Sequence, residues 1–237
     1  MMKALWLAAA LLATMSAASA PRAQTTLLRD DFDKEAAGVL PRHWKLEYNG
    51  AGTSLQVLDT AQAFSKPNSL KLVSGSCWVG EVYHPITLPT PIAGVDQHVQ
   101  ITARVFISGV PTGGCNPNAA GLALCNPAFA TYGTFYATIY LTQKHGITVG
   151  PSFGGGPPPV PVAKKYGYGR WNKLLIDADL TAKTADYYVN NVPVATGIAL
   201  AGSGQPNGIC LDAGDSGPNT TAWFDNVLVQ IPAAPSR

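Results

Sequence analysis

The sequence predicts an all-β protein built as two antiparallel sheets packed into a sandwich, and three observations carry that prediction. Residues 98 to 107 alternate strictly: Val99, Ile101, Ala103, Val105 and Ile107 fall on one side and His98, Gln100, Thr102, Arg104 and Phe106 on the other, the period of two that defines a strand. The two ends of the chain match, because Leu27-Leu28-Arg29-Asp30-Asp31-Phe32-Asp33 and Ala222-Trp223-Phe224-Asp225-Asn226-Val227-Leu228-Val229 are both short, apolar and punctuated by Asp. Such stretches are expected to pair in one sheet and close the body. Finally, no amphipathic helical pattern follows the first two dozen residues, while 24 Gly and 19 Pro interrupt the chain.

Residues 1–23 read as a secretory leader: Lys3 supplies the positive start, Ala4 to Ala13 the apolar core, and Ala18-Ser19-Ala20 the small-residue end. Pro21 is a poor residue just after a scissile bond, so cuts after Ala18 and after Ala23 both remain open. The apolar run is shorter than the ~20 residues that a membrane helix needs, and no later segment approaches that length. Residues 24–237 then form a single domain in a secreted or periplasmic protein, long enough to bury about 70% of its unfolded surface. The whole chain has 16 Lys and Arg against 14 Asp and Glu, and removal of Lys3 and Arg22 makes them equal. A neutral chain with 13% charged residues attracts neither nucleic acid nor anionic lipid. A monomer without a membrane anchor is expected.

Further strands follow from the same pattern. In 134–141, Phe135, Ala137, Ile139 and Leu141 make an apolar face, and Thr134, Tyr136, Thr138 and Tyr140 a hydroxyl-rich one. From Trp171 the inward set is Leu174, Ile176, Ala178 and Leu180, with Asp177 and Asp179 outward. Asn190-Asn191 separates Tyr187-Tyr188-Val189 from Val192-Pro193-Val194, and Asn tolerates the positive φ of a tight hairpin. Strands are also expected at 53–58, 69–74, 77–87, 208–211 and 221–230. The stretch from Gly150 to Gly169, with Gly154-Gly155-Gly156 and Pro157-Pro158-Pro159, reads as a long loop of polyproline II character.

Four cysteines in an exported chain make two disulfides in one of three pairings. Cys115 and Cys125 bracket a short loop whose closure stabilises by roughly 2 to 3 kcal/mol in the chain-entropy model. They are paired on that ground, leaving Cys77 with Cys210. Metal ligation is disfavoured, since no Cys-x-x-Cys spacing or neighbouring His is present.

Asp31-Phe32-Asp33 with Gly38 to Trp44, Ser69-Leu70-Lys71-Leu72, Trp171 to Asp179, Tyr188-Val189-Asn190-Asn191 and Trp223-Phe224-Asp225-Asn226-Val227 together resemble the concanavalin A-like lectin and glucanase superfamily in its laminin-G-like form. Asn191 stands where many of its members have glycine. The likeness spans most of the mature chain and implies a two-sheet jelly-roll sandwich whose concave face binds glycans. It also implies a structural calcium where the first and last strands meet, at Asp31 and Asp225. Calcium takes six to eight oxygens, so backbone carbonyls and water would complete the shell. Solvent-exposed or turn-capping Asp is the alternative there.

A catalytic set is harder to find. The glucanase branch places Glu-x-Asp-x-Glu on one strand face, and this chain has only Glu35, Glu47 and Glu81, far apart in sequence. Asp177 and Asp179 share a face as a solvated pair. Jelly-roll lyases use Arg or Gln, His and Tyr, and Arg104, Gln100, His98, Tyr136 and Tyr140 provide those types without the lyase motifs. No Gly-x-Ser-x-Gly elbow occurs. Binding leads: Tyr132, Tyr136 and Tyr140 offer ring faces and hydroxyls to a sugar, and Arg104 and Gln100 add polar contacts if their strand joins the same sheet. The other reading of the stripe is packing, as the inner wall of the second sheet. A lyase, a hydrolase and a secreted adhesive module remain the alternatives to a glycan-binding module.

Overall fold

The computed structural model describes residues 23–49, 55–74, 79–90, 97–108, 118–126, 134–151, 160–202, 204–214 and 220–233. The leader at 1–22, Tyr132, Cys77 and Cys115 lie outside them. In chain order the strands are β1 (Thr25–Asp30), β2 (Lys45–Asn49), β3 (Leu55–Asp59), β4 (Ser69–Val73), β5 (Gly80–Pro85), β6 (His98–Ile107), β7 (Asn118–Asn126), β8 (Thr134–Thr142), β9 (Ile147–Gly150), β10 (Val160–Val162), β11 (Trp171–Asp179), β12 (Thr184–Val189), β13 (Val192–Ala199), β14 (Gly208–Ala213) and β15 (Thr221–Ile231).

These strands form two antiparallel sheets. One runs β13-β12-β11-β6-β15-β4-β3, with β1 added alongside β15, and the other runs β10-β9-β8-β7-β14-β5-β2. The expected pairing of the chain ends is present: Thr25 lies opposite Ile231 and Asp30 opposite Val227. The hairpin is also present, with Asn190 and Asn191 at φ 53 and 64° between β12 and β13, the two positive values of a type I′ turn.

Alternation decides which side chains meet between the sheets. From the eight-stranded sheet come Val99, Ile101, Ala103, Val105, Leu174, Ile176 and Phe224; from the seven-stranded sheet come Leu122, Leu124, Ile139, Leu141, Ile209 and Leu211. All are buried. At about 25 cal/mol per Å² of apolar surface, this layer supplies the main drive for folding.

Four elements depart from the sequence reading. Residues 118–126, expected as a disulfide-closed loop, form β7 in the middle of the seven-stranded sheet. Their lack of alternation has a physical cause, since Ala119 to Cys125 are buried on both faces. β2 and β9 carry too few residues for a period to show. β10 takes residues 160–162 from within the expected loop and pairs with β9 at the sheet edge, where Pro161 is tolerated.

The disulfide differs as well. Cys125 bonds to Cys210, with Cα atoms 6.4 Å apart, and this excludes both expected pairings, Cys115 with Cys125 and Cys77 with Cys210. Loop entropy acts on the unfolded chain and does not choose which cysteines meet. Adjacent strands choose: β7 pairs with β14, so Cys125 and Cys210 come together on one face. A bond of this kind belongs to an oxidising compartment. Among the described residues no helix is long and apolar enough to cross a membrane.

Candidate functional site

The face of the seven-stranded sheet turned away from the core is built from cross-strand rows. One row runs Thr148, Tyr140, Gly121, Asp212, Glu81 and Tyr48 across β9, β8, β7, β14, β5 and β2. The next runs Gly150, Thr138, Ala123, Cys210, Tyr83 and Lys45. Tyr83, Ala123, Cys125, Phe135 and Cys210 form a small apolar cluster around the disulfide. The acids are beside it.

Asp212 lies directly opposite Glu81, and both are nearly inaccessible, at 2% and 4% exposure. Glu47, at 8%, sits where the register of β2 shifts. Burial pushes the Glu81 carboxyl well above the usual carboxylate range, and the negative charges of Asp212 and Glu47 push it further. Folding therefore favours the protonated form of Glu81. Its Oε1 is buried without a hydrogen-bond partner, as is Thr138 Oγ1 in the adjacent row. Gly121 makes the row geometrically feasible, because a Cβ there would collide with the Tyr140 ring and with Asp212 Oδ2. Its missing side chain lets an aromatic ring and a carboxylate close over β7. Access improves toward the sheet edge, where Tyr48 is half-buried and Lys45 exposed, its Nζ 5.7 Å from the Tyr83 ring.

The described sequence-predicted binding residues are separated, with Tyr140 on one outer face, Arg104 and Gln100 on the other and Tyr136 in the core. Tyr140 belongs to the acid row, but Tyr136 does not. Cys125 faces Phe135 and Leu124 faces Ala137, so Tyr136 is the extra residue of a bulge. The bulge breaks the expected alternation: Phe135 turns outward to the disulfide, and Tyr136 packs into the inter-sheet core, its hydroxyl accepting from Asn126 Nδ2 at 3.0 Å. The tyrosines are thus not one exposed stripe.

Arg104 and Gln100 lie on β6, in the other sheet and on its outer face, so they cannot share a ligand with Tyr140 across the core. Gln100 is also engaged: its amide donates to Asp177 Oδ2 at 2.9 Å and its carbonyl accepts from Gln230 at 2.9 Å. Asp177 Oδ1 is 3.0 Å from His98 Nδ1, and Asp179 Oδ2 is 3.7 Å from His98 Nε2, which makes the acid pair a partnered surface feature.

Asp225 is buried and committed to a turn. Its Oδ2 accepts from the backbone N–H groups of Phe64 and Ser65 at 2.7 and 2.9 Å, and its Oδ1 from Ser65 Oγ at 3.0 Å and Asn226 N at 2.7 Å. Asp31 accepts locally from Asp33 N at 3.4 Å. Among the described residues no group of three or more His, Cys, Asp or Glu is placed to hold a metal.

Glu47, Glu81 and Asp212 were not legible as a group, since nothing in their spacing joins them. The signal available was a charged residue inside an otherwise apolar strand, as at Asp212 in Ile209-Cys210-Leu211-Asp212-Ala213.

No protein-family model and no curated protein matches this chain. Solved structures do. A sialidase aligns with a TM-score of 0.60 at 12% identity, over 86% of this chain and 18% of that one. The cellulose induced protein Cip1 aligns at 0.57 and 16%, over 85% and 96%. A carbohydrate esterase from the Shiga toxin-encoding bacteriophage phi24B aligns at 0.57 and 13%, over 88% and 99%. At these identities the likeness establishes the two-sheet β-sandwich, and the chain spans only a small part of the sialidase.

Proposed function

We propose that this chain is an exported β-sandwich module of the concanavalin A-like, laminin-G-like type, which binds a carbohydrate on the outer face of its seven-stranded sheet. One observation carries the reading: Asp212 and Glu81 oppose each other on neighbouring strands, nearly inaccessible, with the Tyr140 ring beside them. A fold does not need buried carboxyl groups of like charge, and such groups concentrate at sites of binding and chemistry. Glu81, Asp212 and Tyr140 are themselves only 2–4% exposed, so the sugar is met at the accessible edge of the sheet, where Tyr48 offers a ring and Lys45 a donor, and the acids fix that edge from within. The printed names of the structural neighbours, a sialidase, a carbohydrate esterase and a cellulose induced protein, support the same class.

A second reading, glycoside cleavage, is favoured by the opposition itself. Directly opposed residues have Cβ atoms about 4.5–5.5 Å apart, within reach of the roughly 5–5.5 Å carboxyl separation of retaining enzymes. Glu81 would then be the acid and Asp212 the nucleophile.

Affinity electrophoresis in a panel of polysaccharides, with an assay for reducing ends, tests both. Retention without product, lost in Asp212→Asn and kept in Glu81→Gln, is the expected result. Product that disappears in Glu81→Gln establishes cleavage, and a wild type that no polysaccharide retains or reacts with removes the carbohydrate reading.

A further inference from the structure

The outer face of the eight-stranded sheet carries a separate feature, a cavity of about 340 Å³ between β1, β6, β11 and the bulge of β15. It lies at the lower end of the range for small-molecule sites, roughly 300–1,000 Å³. Arg29, Arg104 and Lys173 line it, and among the described residues none of the three has a carboxylate within ion-pair distance.

The placement of two of these cations is unfavourable as it stands. Lys173 lies directly opposite Arg104 on the paired strand, where like charges repel, and its Nζ donates to Asn191 Oδ1 at 3.1 Å. Asp225, opposite Arg104 on its other side, is the natural neutralising group, yet its oxygens hold the Phe64–Ser65 turn. Two other acids border the cavity. Asp30 accepts from Phe32 N at 2.9 Å and from Trp44 Nε1 at 2.9 Å, and Asp31 from Asp33 N. Counting Asp225, three carboxylates border three cations, but the described hydrogen bonds of these acids go to backbone N–H groups, Ser65 and Trp44, and among the described residues neither Arg104 nor Lys173 has a carboxylate within ion-pair distance. The walls add an exposed ring, Phe64, with the Arg104 guanidinium 4.4 Å from its centroid, the Thr102 hydroxyl and the Asn226 side chain, which the bulge presents at φ 48°.

We infer that this cavity binds a sugar acid, a monosaccharide-sized molecule carrying one carboxylate. The carboxylate sits between Arg104 and Lys173, where the guanidinium provides a planar donor pair and the ammonium a point charge. The sugar's C–H face lies toward Phe64, and its hydroxyls reach Thr102 and Asn226. The site is on the opposite side of the molecule from the acid row and stands independently of it.

Calorimetric titration of the full mature chain with D-glucuronate, D-galacturonate and D-mannuronate, beside the matching neutral hexoses and sodium sulfate, tests the assignment. At least one uronate binds, its neutral counterpart does not, and Arg104→Gln and Lys173→Gln each weaken binding by about 10- to 100-fold. Asp212→Asn leaves uronate binding intact. Absence of binding for all three uronates overturns the inference, as does affinity unchanged in both variants. Equal affinity for sulfate, which marks an unspecific anion site, and loss of binding in Asp212→Asn also overturn it.

Discussion

The two outer faces of the sandwich treat their acids differently. On the eight-stranded sheet, Asp177 is met by His98 and Gln100, Asp59 by Lys71 at 3.2 Å, and Asp225 by the turn it anchors. On the seven-stranded sheet, Glu81 is buried against two further carboxyl groups, Asp212 and Glu47. Acids that the fold uses acquire donors as a consequence of folding. An acid held at a cost to the fold is the exception among them, and it lies on the seven-stranded sheet.

Removing the covalent brace beneath the acid row has the largest expected effect. Cys125 and Cys210 are 85 residues apart, and the chain-entropy model assigns such a bond about 4–5 kcal/mol. Cys125→Ala with Cys210→Ala is expected to lose most of that in denaturant unfolding, and a loss below about 1 kcal/mol would show that the sheet holds the row without the bond. Gly121→Ala forces the Tyr140 ring and Asp212 apart, costing about 1–3 kcal/mol of overpacking, and abolishes polysaccharide retention in electrophoresis.

The acid row also predicts a pH dependence with a definite sign. Glu81 is raised in the folded protein, so between its unfolded value near 4.5 and its folded one the native state holds the extra proton. Stability therefore falls as pH rises through that window, by up to about 1.4 kcal/mol per pH unit. Glu81→Gln should remove this slope and be more stable than the wild type at pH 7, measured by urea unfolding at several pH values. A parallel pair of profiles would mean that Glu81 ionises freely. On the other face, His98→Ala breaks a half-exposed contact with Asp177 and is expected to cost less than about 1 kcal/mol in the same experiment.

The legibility of the chain follows the same division. Strands with one face in the core and one toward water, β6 and β11, announced themselves by alternation, and the Asn pair announced its hairpin. β7 did not, because Ala119, Ala120, Gly121, Leu122 and Ala123 are covered on both sides and small residues carry no period. The cysteine pairing was lost with β7, since it depends on which strands are neighbours. Arg104 was picked out correctly as a polar residue on an outward face, while its separation from Tyr140 depends on sheet membership, which alternation does not encode. Glu47, Glu81 and Asp212 belong to three strands brought together only by the topology.

The adjacency of Thr25 and Ile231 in the β1–β15 pair has a use beyond closing the sheet. A short peptide joining these positions, with new ends opened at Asn190 and Asn191, gives a circular permutant that retains both outer faces. The same adjacency makes the sandwich a suitable guest for insertion into a host loop, since both connections leave from one corner.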